Sequence, residues 1–326
     1  MKRTVASLAI AASLAACGGG SRTLTAEEAR GAVPGADQAR LSAPDASSAS
    51  AAAPRGNFVL TAGQAEYARD TMALAGAVNL GVVWTLGVVE LVVSFPPTAC
   101  SGPTCTWGPW GADQPFEVNL WQLTVTKVDD GEYQWALSGQ PKATPAAAFT
   151  AVVSGTAFPS GVRHVGHGSF VLDLDAAAAL PRKLGDPGAQ KGRIEATYDN
   201  RTSRQVGVQF LGTQDDQNPD QLVNAAYQFV AGASGGDLQV ATRNLTTGAR
   251  LTLHSRWTAA GAGRGDASFS LDGNTIVRSQ CWDSNAASPA FGLLYQATSP
   301  IAAPDDGGSE ASCAFSPAAP PSIQAP

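Results

Sequence analysis

The chain has 326 residues, a net charge of −6 and 15 % charged against 44 % hydrophobic residues. That length supports one large domain or two small ones with a substantial core, and the mild acidity without a basic stripe excludes a nucleic-acid partner. With 35 glycines and 21 prolines, the composition fits a β-dominated body rich in turns.

The chain begins with Lys2 and Arg3, then a short apolar run over 5–12, then Leu14-Ala15-Ala16-Cys17. This order is that of an export signal, and the LAAC tetrapeptide resembles the lipobox of bacterial lipoproteins. The resemblance implies a signal peptide over 1–16, cleavage before Cys17, diacylglycerol on the Cys17 sulfur and acylation of the new amino terminus. The lipid bilayer is then the first expected partner, since each buried methylene contributes about 0.8 kcal/mol to anchoring. Gly18 follows Cys17 where an acid would argue for retention, so the sorting rules known for such proteins point to the outer membrane of the cell envelope, on its periplasmic face or the cell surface. Residues 17–57 read as a tether. Thr25-Ala-Glu-Glu28 matches a capping box for a short helix ending before Pro34, and 43–55 is a low-complexity Ala/Ser linker.

The stretch 66–95 is the one long apolar segment. Thr61 and Gln64 form a T-x-x-Q capping box ahead of it, Glu66 and Asp70 suit the positive end of a helix dipole, and Pro96 and Pro97 stop the pattern. Between 71 and 89 there is no charge, and Asn79 is the only strongly polar side chain. An all-round apolar helix is either buried or membrane-spanning, and the valine run is also compatible with strands. The reading adopted is a buried helix about 45 Å long, covered by a sheet on one side and by the aromatic loop at Trp107 and Trp110 on the other. Asn79 and Glu90 lie about three turns apart on one face. They need an open stripe or donors such as Arg256 or Arg278.

Four cysteines follow: Cys100, Cys105, Cys281 and Cys313. An even number in an oxidising compartment reads as two disulfides, with three connectivities open. The expected pairs are Cys100–Cys105, around a tight Ser-Gly-Pro-Thr loop, and Cys281–Cys313. Loop 100–115 carries Trp107-Gly-Pro-Trp110, whose two rings are a candidate ligand mouth.

Beyond it come β-like runs over 116–128 and 132–139 across an Asp129-Asp130-Gly131 hairpin turn, then 149–158 and 168–175. Runs at 193–199, 205–211, 225–231, 237–242, 250–258, 267–271, 275–282 and 292–296 complete the series. The expected fold is α+β and β-dominated: a curved antiparallel sheet or partial barrel of about eleven strands packed around one long apolar helix. Residues 58–302 form the single domain, and 303–326 is a Pro-rich tail pinned at Cys313 and loose beyond it.

The motifs LAAC, WGPW, DLDAAAALP, ATYDN, SRWTAAGAGRGDASFS and QCWD together resemble a group of uncharacterised lipoproteins of myxobacteria and their relatives, over most of the chain after Cys17. The resemblance implies no activity. The arrangement also looks broadly like the half-barrel lipoprotein carriers of outer-membrane sorting, a likeness of fold from which function does not follow.

Candidate chemistry is sparse. His164-Val-Gly-His167 has no acid or thiol beside it to complete a metal site. Residues 215–220 collect carboxylates without calcium-loop spacing. Asp173 and Asp175 share one face of an expected strand, a weak candidate for paired carboxylates. His254 lies in a strand with no G-x-S-x-G nucleophile elsewhere, and Arg264-Gly265-Asp266, an adhesion tripeptide, lies in a Gly-rich hairpin. No catalytic residue, metal or cofactor is assigned, and the chain is not read as an enzyme. The expected function is a membrane-anchored structural or interaction module of the envelope. The alternative is a carrier or sensor of an apolar ligand in a half-barrel lumen.

Overall fold

The computed structural model describes residues 23–42, 65–183 except Pro115, 190–215, 218–283 and 291–326. Cys17, the capping-box residues Thr61 and Gln64, and the linker from 43 onward lie outside the described residues. Among the described residues fifteen strands carry the fold: β1 (Ala99–Ser101), β2 (Thr104–Trp110), β3 (Asn119–Asp129), β4 (Glu132–Pro141), β5 (Thr150–Pro159), β6 (Gly166–Asp173), β7 (Arg193–Asp199), β8 (Arg204–Gln214), β9 (Leu222–Gly232), β10 (Gly235–Asn244), β11 (Arg250–Thr258), β12 (Gly263–Leu271), β13 (Asn274–Trp282), β14 (Leu293–Ser299) and β15 (Gly307–Gly308). Each pairs antiparallel with its neighbour in sequence, giving one open sheet in chain order. Tight turns make this order cheap to reach. Gly131 takes φ +78° between β3 and β4, and Asp272 and Gly273 take φ +50° and +78° between β12 and β13, the left-handed geometry that two-residue hairpins require.

The sheet exceeds the expected eleven strands partly because the aromatic loop is itself β2. Cys105, Trp107 and Trp110 pair with Val125, Leu123 and Trp121, and a register shift between Trp107 and Trp110 accommodates Pro109. At the other end, β6 stops two residues earlier than its alternating pattern suggests. Asp173 caps the short helix α3 (Leu174–Ala179) by accepting the Ala176 N–H at 2.8 Å, so Asp175 is helical and does not share a strand face with Asp173.

Pleating separates two faces. One cross-strand row runs Val125, Trp135, Gly155, Phe170, Ala196, Val208, Tyr227, Val240, Leu253. Its apolar side chains fill the core. Where an indole needs depth the neighbouring strand supplies a glycine: a Cβ on Gly155 would meet the Trp135 ring at 2.7 Å, and one on Gly236 the Trp257 ring at 2.2 Å.

The helices lie on this apolar face. Helix α1 (Ala26–Ala32) begins at Thr25, whose Oγ1 accepts from the Glu28 N–H. The Tyr133 hydroxyl at 2.7 Å and Lys127 Nζ at 3.0 Å tie Glu28 to β3 and β4 and hold its carboxyl below the usual range. Leu24, Ala29, Ala32, Val33, Ala39 and Leu41 are all buried. Part of the expected tether therefore belongs to the core, because its small side chains fit between sheet and helix.

Helix α2 (Glu66–Ser94) buries a single stripe: Ala68, Thr71, Ala75, Val78, Val82, Leu86, Val89 and Val93. The three- and four-residue steps are those of one helix face. Burying each Val or Leu contributes on the order of 1.5–3 kcal/mol. Its N-cap is Ala65, which has no capping side chain. Instead the orphan Tyr67 N–H reaches Gln280 Oε1 of β13 at 3.0 Å, and Thr71 Oγ1 donates to Ser255 Oγ of β11 at 2.6 Å. The far end meets β2, where the Trp107 indole donates to Phe95 O at 2.9 Å. The opposite face is uncovered, with Leu80 65 % and Leu91 62 % exposed, so the aromatic segment caps the helix end rather than covering its second side.

Asn79 and Glu90 share one face, as their spacing requires, but their partners are the N-terminal segment and not Arg256 or Arg278. Asn79 accepts the Leu41 N–H at 2.7 Å and donates to Leu41 O at 2.8 Å, while Glu90 accepts from Ala36 N at 3.4 Å. Arg278 instead pairs with Glu66 and Asp305.

Candidate functional site

One residue away from the apolar row lies its polar counterpart on the outer face. The strand register aligns Thr104, Thr126, Gln134, Thr156, Ser169, Thr197, Gly207, Gln228, Gln239, His254, Asp266 and Ser279 in a single line from β2 to β13. Ten of these twelve side chains are uncharged or absent, and the two ionisable ones, His254 and Asp266, sit next to each other. A strand slipped by one residue would put this row into the core, so the polar line and the apolar one specify the same register.

At the β10–β13 end the row is covered by the chain's own tail. Cys313 is disulfide-bonded to Cys281 of β13, and Cys100 is bonded to Cys105 across β1 and β2. From there the tail crosses the strands. Arg264 Nη1 donates to Phe315 O at 3.2 Å, and the Arg256 guanidinium stands 5.3 Å from the Phe315 ring centre. The Ala319 N–H donates to Asp266 Oδ2, Ala319 O meets His254 Nδ1 at 2.8 Å, the Ser322 N–H donates to Gln239 Oε1, and Asn224 Nδ2 donates to Pro326 O. The tail is held to its last residue, against the expectation that it runs loose beyond Cys313. Polar side chains of four strands read its backbone, a partner set invisible without the register.

Charge is buried beneath it. Asp266, 4 % exposed, accepts from Arg256, Arg264, Ser279 and the Ala319 N–H, and Arg264, 1 % exposed, also donates to Glu310. His254 Nε2 lies 3.0 Å from Asp237. Burial opposes charge on that ring, but the Asp237 carboxylate and the Ala319 carbonyl outweigh it and raise the imidazole's pKa. Both ring nitrogens and both Asp266 oxygens are thus engaged in holding strands and tail. Arg264-Gly265-Asp266 lies within β12, with Arg264 and Asp266 buried, which removes it from reach of an adhesion partner.

At the β3–β6 end the same row is open. Thr126, Gln134, Thr156 and Ser169 line a groove of about 390 Å³ together with a second row, Thr124, Ala136, Ser154 and Val171. No charged side chain lines it. Among the described residues, Gln134, Ser154, Thr156 and Ser169 make no side-chain hydrogen bond to one another or to the rest of the chain. One step further along the same strands, on the same face as Thr156 and Ser169, Phe158 of β5 and His167 of β6 stack at 4.7 Å.

The other candidates scatter. Trp107 is 3 % exposed and belongs to the core, with Trp110 and Trp121 packed against it, so the expected ligand mouth is a wall. His164 sits in a turn with Nε2 3.9 Å from Glu90, on the opposite side of its strand pair from the stacked His167. Asp215 accepts from Asn218 N as a turn residue, and 216–217 lie outside the described residues. Among the described residues no three His, Cys, Asp or Glu side chains gather as metal ligands would. Compared with protein-family models, curated proteins and solved structures, the chain matches none.

Proposed function

We propose that the chain is a lipid-anchored protein of the cell envelope that works as an interaction module, displaying the polar face of its sheet. The lipobox-like Leu14-Ala15-Ala16-Cys17 supports the anchor. The observation that carries the interaction reading is the open groove at β3–β6, where, among the described residues, Gln134, Ser154, Thr156 and Ser169 have no side-chain partner within the fold. Unengaged amide and hydroxyl groups gathered in a concave surface are the polar groups with which a bound ligand would pair.

In this reading the open sheet holds α2 and the helix stays out of the bilayer. Helix α2 is the described helix long and apolar enough to span one, and 35 % of its apolar window is buried. Its buried stripe, polar ties at Thr71 and Asn79, and end contacts at β13 and β2 support the packed position. The carrier alternative calls for an apolar cavity beneath the Trp107 segment; the burial of Trp107 in the core supports the interaction reading over it.

Two measurements test the proposal. Fatty-acid labelling in cells should mark the protein and vanish in Cys17→Ala; label retained on that variant would sink the anchor. A chain starting at Ser21 should purify without detergent and show no co-purified lipid by native mass spectrometry. Dependence on detergent would put α2 in the bilayer, and a stoichiometric lipid would restore the carrier reading.

A further inference from the structure

From the alignment of the open groove with the tail-covered half of the same row, we infer that the β3–β6 groove is a docking site for an extended, uncharged, proline-rich peptide segment of another envelope protein. The inference rests on the polar face being an interaction surface and does not need the lipid anchor.

The chain itself shows what this row binds. Over β10–β13 the occupant is residues 314–326, a Pro-rich stretch without a charged side chain. It is held through its backbone, by Asp266, His254, Gln239 and Arg264, and through one aromatic ring. The open half repeats that design without the charges. Gln134 offers both a carboxamide oxygen and an NH₂ group, and Thr126, Thr156 and Ser169 offer hydroxyls that donate or accept. These are complements to the N–H and C=O groups of a peptide backbone. The Phe158–His167 stack supplies ring surface for a proline or aromatic side chain, as Arg256 supplies a cation for Phe315. An uncharged lining disfavours a charged occupant, which would leave water for a site with no counter-charge.

The dimensions agree. Four strands at about 4.8 Å spacing give a row roughly 14 Å long. That length is close to five residues of polyproline II helix at about 3.1 Å each, a form that proline-rich chains adopt in advance and at low entropic cost. The source is a different protein, because the chain's own tail is already seated from Cys313 to Pro326.

The test uses the chain starting at Ser21 and a fluorescein-labelled synthetic peptide of residues 314–326, followed by fluorescence polarisation. Saturable binding is expected. It should weaken by about tenfold in Gln134→Ala/Thr156→Val, the scale of losing one or two such hydrogen bonds, and disappear in Ser154→Trp, which fills the groove. Thermal melts of the variants should match the parent, since these side chains make no bonds within the fold. Gln239→Ala should leave binding unchanged. Absence of saturable binding overturns the inference. So does binding lost in Gln239→Ala, which would mean exchange at the tail's own seat. Groove-dependent binding of maltohexaose without the peptide would assign the site to a glycan, and a concentration-dependent dimer abolished by Ser154→Trp would assign it to a second copy. Each of those outcomes refutes a heterologous peptide partner while leaving the anchored interaction module standing.

Discussion

The two ends of the polar row differ in one respect that decides their fate. At β10–β13 it carries Asp266 and His254 with Arg256 and Arg264 beside them, and a 14-residue stretch from Cys313 to Pro326 lies over it. At β3–β6 it carries only hydroxyls and a carboxamide, and among the described residues nothing covers it. Charge explains the difference. A buried carboxylate that accepts four hydrogen bonds needs its partners fixed, and a strap that excludes water strengthens each of them. Neutral hydroxyls satisfied by water need no such cover, so that end can stay available to a ligand.

The largest effect should come from breaking the charged end. Asp266→Ala removes the common acceptor of Arg256 and Arg264, the latter almost completely buried. Arg264 would keep only Glu310 and the Phe315 carbonyl, and breaking a buried ion-pair network in this way costs about 3–5 kcal/mol, which urea denaturation would read as a lower midpoint. A loss under 1 kcal/mol would mean that the tail adds no real enclosure. Next comes the tether. Replacing Cys281 and Cys313 by serine opens a crosslink spanning 32 residues and should cost about 2–4 kcal/mol, with early proteolysis after residue 313. Removing Cys100 and Cys105, only five apart, opens a crosslink that closes a much shorter loop and should cost less. Equal losses would show that tail attachment is not what the longer crosslink contributes.

What was legible in the sequence was local. The Thr25 cap, the hairpin signals, the apolar helix and the two cysteine pairs each rest on residues near one another or on parity, and the structure contains them. Some losses were also local. Proline at 109 disguised β2 as a loop, although a bulged edge segment tolerates it. Small residues at 29, 32 and 39 read as tether because alanines carry little apolar signal, yet they pack between helix and sheet. The polar row was out of reach for a different reason. Thr126, Gln134, Thr156 and Ser169 become one line only after four strands are placed in register, and register is a property of pairs. The tail suffered the same way, since its partners at positions 224, 239, 254 and 266 are at least 53 residues away.

The smallest effect, and the finest probe of the contrast, is protonation at His254. Its folded pKa is raised above the ordinary value near 6.5. The stability it adds is therefore fully present below pH 6.5 and lost as pH rises through the folded pKa. The chemistry follows from its partners. A charged imidazole donates from Nδ1 to Ala319 O and from Nε2 to the Asp237 carboxylate. A neutral one carries a single N–H, so one acceptor loses its donor. Arg256 opposes the charge from the same face, while Asp266 on the adjacent strand faces the arginines. Hydrogen exchange of amides in 314–326, corrected for intrinsic rates, should show protection at pH 6 falling by pH 8.5, while amides of β3–β6 stay constant. His254→Gln, which keeps one donor at every pH, should flatten the dependence. Protection that is pH-independent in the parent chain would show that Asp266 and the disulfide seat the tail without the imidazole. The covered end of the row would then owe its cover to Asp266 and the Cys281–Cys313 crosslink.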